Sequence, residues 1–328
     1  MKRFNLAIIG GIVAIAVGLA LVQIPSFDTS DQPNNPDQTV EQEPVTPKLK
    51  VIASFYPLYE FSKKVGGDKA EVSSLIPIGV EPHDWEPSTG DILDLKEADL
   101  FVYNGGGFEP FVDQLIDSGE YDSVMFVEST KGLELIASQH DEHDKEEHDE
   151  HDSEYDPHVW LDPILAKHQV TVIKNAMIQA DPQNAQYYET NAEKYIGELE
   201  DLDIKIKIEL SSCNKDTFMP FHDAFTYFAN RYGLKIFALS GIAPESEATG
   251  AEIKEFVDFV KKNEITVIFA EELIDPRLAE VLADEAGAQV MILSPLEGLT
   301  EEETKAGKNY VTKMEENLEN LKVALDCQ

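Results

Sequence analysis

Basic residues and cysteines are scarce in this sequence. Its 328 residues include 26 lysines and arginines against 63 aspartates and glutamates, which gives a formal net charge of −37. A chain this acidic does not bind a nucleic-acid backbone or an anionic membrane surface, because both interactions depend on clusters of Lys and Arg. The two cysteines, Cys213 and Cys327, are too few for a disulfide-rich miniprotein, a four-cysteine zinc site or an iron–sulfur cluster.

Apolar side chains are not scarce. They make up 42% of the residues, and 9% of the residues are aromatic, which is enough to build a packed core and argues against global disorder. The length indicates about two domains.

The N-terminus has the pattern of an export segment. Lys2 and Arg3 precede an uncharged apolar run over residues 6–22, so we expect residues 1–24 to be a signal or membrane anchor and the rest of the chain to be extracytoplasmic. An uncleaved anchor is expected, although a signal peptide cleaved after Ala20 stays open. Residues 25–48, rich in Pro, Asp, Gln and Asn, predict a disordered acidic linker.

Strand-like and helical patterns alternate from residue 49 onward. Four short β-branched runs precede residue 130, and four more follow residue 216. This alternation predicts an α/β fold with parallel sheets. The pattern over residues 182–211 predicts one long helix of roughly 45 Å between the two groups. We therefore expect an N-terminal lobe (49–181), a linking helix (182–211) and a C-terminal lobe (212–328).

Histidines are concentrated in one acidic stretch. Residues 140–158 read HDEHDKEEHDEHDSEYDPH and contain five of the eight histidines of the chain. Charges of one sign at this density repel, so residues 139–156 predict a solvated loop. Imidazoles among carboxylates suit borderline cations such as zinc, which favours weak metal capture by His140, His143, His148 and His151. A charge run without a role is the alternative.

Four residues, with His158 of the His-rich stretch among them, are expected at the ends of strands. They are His83 in PHDWEPS, His158 in DPHVWLDP, His222 in FHDAF and Glu297 in SPLEG. Ligands of open α/β sheets bind beyond the carboxyl ends of the strands. Two of these residues come from each predicted lobe, so the sequence predicts that they converge between the lobes in an inter-lobe metal site.

Three imidazoles and one carboxylate make a tetrahedral donor set that suits Zn²⁺. With four protein donors no coordination position stays open for an activated water, which favours holding the ion over hydrolysis. The sequence also lacks a His-Glu-x-x-His helix and a Gly-x-Ser-x-Gly elbow. We therefore do not expect an enzyme.

These motifs together resemble the metal-binding solute receptors of zinc/manganese ABC transporters, over essentially all of residues 49–328. The resemblance implies two α/β lobes on a rigid backbone helix, with His83, His158 and His222 as ligands. Its fourth ligand varies, and SPLEGLT is similar to the branch that uses a glutamate, here Glu297. Manganese-type members carry a carboxylate in place of the third histidine, so His222 and the His-rich insert point to the zinc branch.

Further residue roles follow from the same resemblance. Glu271 matches a recurrent family glutamate and is expected to support the site or to replace Glu297 as the fourth ligand. The role of Glu81 follows from charge instead: three neutral imidazoles and one carboxylate leave a net charge of about +1 on Zn²⁺, which Glu81 is expected to balance from beside the site. Some members pair cysteines in the C-terminal lobe, which makes a Cys213–Cys327 disulfide the expected pairing here. Two free buried thiols are the alternative.

The function implied is high-affinity capture of Zn²⁺ outside the cytoplasm and its delivery to an ABC permease. The chain is expected to be a monomer, tethered to the membrane by its N-terminal segment. Three alternatives remain: a manganese or ferrous-iron receptor, a zinc-dependent hydrolase, and an adhesin or passive metal buffer.

Overall fold

Parallel strands organise both halves of the chain in the computed structural model, which describes residues 47–83, 85–138, 154–241 and 249–328. Residues 47–328 form one compact unit. The predicted anchor, nearly all of the predicted linker and most of the His-rich loop, including His140, His143, His148 and His151, lie outside the described residues. None of the helices within the described ranges is long and apolar enough to cross a membrane.

All eight predicted strands are present, and five of them are shorter than the sequence runs that predict them, which are residues 49–55, 217–220, 235–239, 265–270 and 289–293. The strands are β1 (Leu49–Ala53), β2 (Ala70–Ser74), β3 (Leu100–Tyr103), β4 (Met125–Glu128), β5 (Thr217–Phe218), β6 (Lys235–Ile236), β7 (Val267–Ala270) and β8 (Gln289–Ile292). The first four form one parallel sheet in the order β2-β1-β3-β4. The last four form two parallel pairs, β5-β6 and β7-β8, which the Phe269 N–H···O Met219 hydrogen bond of 2.9 Å joins.

Helices connect and cover these strands. The helices are α1 (Tyr56–Gly66), α2 (Thr89–Leu95), α3 (Val112–Ser118), α4 (Pro163–Ala180), α5 (Ala185–Leu210), α6 (Thr226–Tyr232), α7 (Gly250–Lys262), α8 (Arg277–Ala286), α9 (Glu301–Lys305) and α10 (Tyr310–Ala324). The predicted fold class, α/β with parallel sheets and a long helix, is therefore confirmed.

The long helix begins slightly later than the sequence pattern indicates. A 3₁₀ turn, Pro182–Asn184, precedes α5, whose 26 residues span about 39 Å. Its buried residues recur every three or four positions, which places them on one face: Tyr188, Ala192, Tyr195, Leu199, Leu202, Ile206 and Leu210. This face belongs to a hydrophobic core that also contains Trp160 from the first half of the chain and Phe218 from the second.

One predicted helix is wrong. The pattern over residues 302–325 predicts a single helix, whereas the structure has α9 and α10 with a break between them. Gly307 adopts a left-handed backbone conformation (φ 73°), which a helix cannot accommodate, and Asn309 then caps the N-terminus of α10 with its side chain. Beyond α10, Cys327 forms the expected disulfide with Cys213.

Candidate metal centre

Four side chains from four separate loops meet in the structure. The ligand atoms of His83, His158, His222 and Glu297 all lie within 4.8 Å of one another. We call this group the His₃Glu cluster. His158 and His222 are fully buried, and Glu297 is only 3% exposed.

The expectation that His158 stands at the end of a strand is wrong: it directly precedes the 3₁₀ turn Val159–Leu161, and contacts within its own loop hold it. Its backbone N–H and its ring Nδ1–H both donate to Asp156 Oδ1, at 2.9 Å and 2.8 Å. Directly after it, the Asp162 side chain caps α4 and also pairs with Arg231 at 2.7 Å, so the start of that helix is fixed. The ring packs against Trp160, with centroids 5.0 Å apart. These contacts engage Nδ1 and leave Nε2 as the ring nitrogen that is available to a metal ion.

His222 follows β5 and is held in a similar way by a residue from another strand. Its backbone N–H and its ring Nδ1–H donate to Glu271 Oε1, at 3.3 Å and 2.6 Å. Glu271 follows β7 directly and is 6% exposed. Because Nδ1 carries the proton, Nε2 has a lone pair available for a metal ion.

His83 lies in the loop between β2 and α2. Its backbone N–H lies 3.0 Å from both carboxylate oxygens of Glu81, two residues earlier. The imidazole packs edge-on against Phe108, with centroids 5.1 Å apart. Its Nε2 points into the cluster, 3.2 Å from Glu297 Oε1.

Glu297 lies in the loop between β8 and α9, and hydrogen bonds from two other parts of the chain hold this loop in place. Asn317 on α10 accepts from the Ser294 N–H at 2.8 Å and donates to the Ser294 carbonyl at 2.7 Å. From the other half of the chain, Trp160 Nε1–H donates to the Pro295 carbonyl at 2.7 Å. Leu296 has a left-handed backbone (φ 56°), an unfavourable conformation for a residue with a Cβ, and these bonds maintain it.

The spacing of the donor atoms is that of a small tetrahedron. Glu297 Oε1 lies 3.2, 3.3 and 3.5 Å from the Nε2 atoms of His83, His158 and His222. His158 Nε2 lies 3.4 Å from that of His83 and 3.3 Å from that of His222. A tetrahedral zinc ion with Zn–N bonds of about 2.0–2.1 Å separates its ligands by about 3.3–3.4 Å. Five of the six edges are thus close to the size that such an ion needs.

Opposing effects act on the protonation of the cluster. Burial lowers the pKa of His83 below its ordinary value. Burial also acts to lower the pKa of His158 and His222, but their carboxylate partners Asp156 and Glu271, together with Glu297, outweigh it and raise both pKa values. Burial alone would raise the pKa of Glu297, yet the three imidazoles hold it well below its usual range, so this side chain stays a carboxylate.

Two other expected site residues lie around the cluster rather than in it. Glu271 contacts the Nδ1 side of His222, and Glu81 contacts the backbone of His83. The role of Asp156 was not predicted, although its position two residues before His158 could have suggested one. The role of Asn317 was not predicted either, because its contact is with Ser294, 23 residues away, and the local sequence carries no signal of it.

The family can now be assigned by comparison. Residues 51–324 match the family described as zinc-uptake complex component A, periplasmic. The chain belongs to this family. The high-affinity zinc uptake system protein ZnuA of Bacillus subtilis is 41% identical over 280 residues, which cover 85% of this chain and 88% of that protein. The zinc-binding lipoprotein AdcA of Streptococcus pneumoniae is 40% identical over 85% of this chain but only 56% of its own length.

Solved structures of zinc-uptake component A relatives share the fold. The Zn(II)-bound ZnuA-like domain of Streptococcus pneumoniae AdcA superposes with a TM-score of 0.74 at 39% identity, covering 85% of this chain and all of that one. A second similar structure is that of the laminin-binding protein Lmb of Streptococcus agalactiae, described as a bifunctional protein with adhesin and metal-transporting activity. Its TM-score is 0.76 at 33% identity, and the match covers 85% of this chain and 100% of that one.

Proposed function

We propose that this chain is the extracytoplasmic receptor of a zinc importer, which binds Zn²⁺ at the His₃Glu cluster and passes it to an ABC permease. The observation that carries the proposal is the tetrahedral spacing of the donor atoms, with five edges of 3.2–3.5 Å. Membership of the zinc-uptake component A family supports the same cargo.

The kind of donor favours zinc over manganese. Three imidazole nitrogens and one carboxylate oxygen suit Zn²⁺, whereas Mn²⁺ is better served by carboxylate, carbonyl and water oxygens. The general order of divalent-metal affinities also places zinc above manganese at such a site. A manganese or ferrous-iron receptor is therefore the less favoured alternative.

Buried charge around the cluster suits a dication. Asp156, Glu271 and Glu297 are 2%, 6% and 3% exposed, so three carboxylates surround the place where two positive charges would sit. The buried carboxylates raise the pKa of His158 and His222, so any proton that binds at their Nε2 atoms would have to be displaced by Zn²⁺.

The cluster is suited to holding an ion rather than to reacting with it. Four protein donors complete a tetrahedron, so no position is left for the water that a zinc hydrolase activates. The carboxylates behind His158 and His222 keep both rings oriented with Nε2 inward, which preserves the site before the ion arrives. Both properties are those of a carrier.

The remaining expectations complete this proposal. Residues 1–24 would tether the receptor to the membrane, and residues 25–48 would form a flexible linker between this anchor and the metal-binding part. The loop 139–156 would bind further zinc ions weakly. Lobes over 49–181 and 212–328 would hold the cluster between them, with 182–211 as their rigid connection. We expect the receptor to act as a monomer.

Zinc binding by the metal-free chain tests the proposal. In competition with a chromogenic chelator, the parent protein should bind one Zn²⁺ tightly and prefer it to Mn²⁺. Glu297→Ala removes one of the four donors, so the tight site should weaken by more than about 100-fold. A variant that bound zinc as tightly as the parent would refute the site, and turnover of a hydrolysable ester would refute the carrier role.

A further inference from the structure

A cavity of about 690 Å³ adjoins the His₃Glu cluster and is lined in part by Glu297 itself. One wall comes from α1, β2 and the segment that follows β2; the other comes from residues after β8 and before α10. Lys63 is exposed, and Ile78 is 59% exposed, so the cavity can be reached from solvent. Its volume lies within the range of about 300–1,000 Å³ in which proteins bind small molecules.

The charge of this cavity differs from that of the chain as a whole. Three lysines line it, although acidic residues outnumber basic ones by 63 to 26 overall. Lys64 lies 4.0 Å from Glu60 and Lys308 lies 2.8 Å from Glu316, so the charges of both are partly neutralised. Lys63 differs, because the partner of its Nζ is the Tyr59 hydroxyl, 2.9 Å away. Lys63 therefore offers a positive charge to whatever enters.

The carboxylates of the cavity wall are already engaged. Glu60 accepts hydrogen bonds from the Tyr56 hydroxyl and, at 2.9 Å, from the Tyr310 N–H. Glu297 faces the three imidazoles of the cluster. The lining thus presents an ammonium group, together with the hydroxyls of Tyr59 and Ser74, to an incoming ligand.

We propose that this cavity receives a small polycarboxylate that carries Zn²⁺, and that the ion is transferred from this complex to the His₃Glu cluster. The inference rests on the proposed zinc-binding function. Lys63 repels a bare dication, whereas it attracts a zinc complex with net negative charge. With a carboxylate on Lys63, such a complex occupies the cavity that extends to Glu297.

The transfer needs no further reactant. Each bond from zinc to a chelator oxygen is replaced by a bond to Glu297 or to an imidazole Nε2, and the oxidation state of the metal does not change. The chelator then leaves as the free anion. Protons displaced from the cluster imidazoles pass to solvent or to the departing carboxylates.

A second cavity that Glu297 also lines cannot take this role. Its lining includes Glu81, Glu271 and Glu272, and its volume is only about 10 Å³. That is the size of about one water molecule, and carboxylates would repel an anion. Of these two cavities, the lysine-lined one fits an anionic complex by both size and charge.

Rapid-mixing measurements of zinc loading test the inference with the full chain. Zinc is supplied either as its citrate complex or as zinc sulfate, and Lys63→Glu is compared with the parent. Loading from zinc citrate should slow by about 10-fold, while loading from zinc sulfate should change less than about twofold. Lys63→Gln should show a smaller effect of the same kind. Lys254→Glu on α7, a charge reversal at a side chain 78% exposed and outside the cavity, is the matched control and should behave as the parent.

Calorimetry with citrate alone gives a second measurement. Citrate should bind the zinc-free parent and the Lys254→Glu variant, and its affinity should fall at least about 10-fold in Lys63→Glu. Tight zinc binding with no citrate binding, or with equal effects of Lys63→Glu on both zinc sources, would overturn this inference and leave the proposed function intact. A parent chain that bound no zinc from either source would overturn both.

Discussion

Two of the three cluster histidines are supported differently from the third. His158 and His222 each donate their Nδ1–H to a buried carboxylate, Asp156 or Glu271. His83 is held by its backbone, which donates to Glu81, and by the edge-on contact with Phe108. All three rings nevertheless place Nε2 near the same oxygen of Glu297.

The difference shows what a carboxylate behind an imidazole does. Burial acts to lower the pKa of all three histidines, and for His83 it prevails. For His158 and His222 the carboxylates reverse the direction and raise the pKa. The same hydrogen bonds fix the ring orientation and the tautomer that a metal requires. The carboxylates thus orient the imidazole rings for the metal, but they also make protons compete more strongly with the metal for those rings.

Removing a carboxylate-backed ring should have the largest effect on zinc affinity. His222→Ala deletes a donor and leaves Glu271 buried without its partner. We expect the zinc dissociation constant to rise by more than about 100-fold, measured by chelator competition. His168, a half-buried histidine whose Nε2 contacts the Lys131 carbonyl, supplies the control as His168→Ala. Unchanged affinity in His222→Ala would show that the cluster does not bind the ion.

Acid should weaken zinc binding to a comparable extent. The pKa values of His158 and His222 are raised above 6.5, so protons compete with zinc already above that pH. The dissociation constant should rise as pH falls, by up to about 100-fold per pH unit where both rings take up a proton. Chelator competition between about pH 8 and pH 6 measures this.

Acid, which weakens zinc binding, should stabilise the fold of the zinc-free chain through the same two histidines. A raised folded-state pKa stabilises the fold fully below the unfolded value of 6.5, and this contribution is lost as pH rises through the folded-state value. Acidification should therefore narrow the difference in unfolding temperature between the zinc-loaded and zinc-free chains. A difference that stayed constant from about pH 8 to pH 6 would contradict the raised pKa values.

Substituting the glutamate behind one histidine at a time should show that a carboxylate on the ring matters more for zinc affinity than a carboxylate on the backbone. Glu271→Gln keeps a hydrogen-bond acceptor for His222 Nδ1–H but removes the charge, and should weaken zinc binding about 10–100-fold. Glu81→Gln acts on a backbone N–H beside His83 and should cost less than about 10-fold. Both are measured by chelator competition at one pH. A larger loss of zinc affinity in Glu81→Gln than in Glu271→Gln would contradict the view that the carboxylate on the ring is the more important one.

The disulfide should have the smallest effect on the site. Cys213 and Cys327 are outside the His₃Glu cluster, so Cys213→Ser with Cys327→Ser should leave zinc affinity within about twofold of the parent. The free energy of unfolding should nevertheless fall by about 2–4 kcal/mol, because the bond closes a loop over a separation of 114 residues. Denaturant titration measures the second quantity, and an unchanged midpoint would contradict it.

The sequence supported some of these conclusions better than others. His83, His158 and His222 could be singled out because each lies in a distinctive loop motif beside a strand or helix. Asp156 and Asn317 were missed, since a carboxylate or an amide in a loop has many possible partners and only folding selects one. The break before α10 was missed because Gly307 in a left-handed conformation outweighs a helical pattern that extends on both sides of it.

By itself the sequence determined the alternation of strands and helices, the long helix, and the residue types that could bind a metal, because these follow from local periodicity and side-chain chemistry. Tertiary structure alone decided that Glu297 lies inside the cluster while Glu271 lies behind His222. Both glutamates follow strands, and their roles differ only through how the β7 and β8 ends and the residues of α10 pack. Distances of 3.2–3.5 Å between donors from four loops are a property of the folded core, which local sequence does not encode.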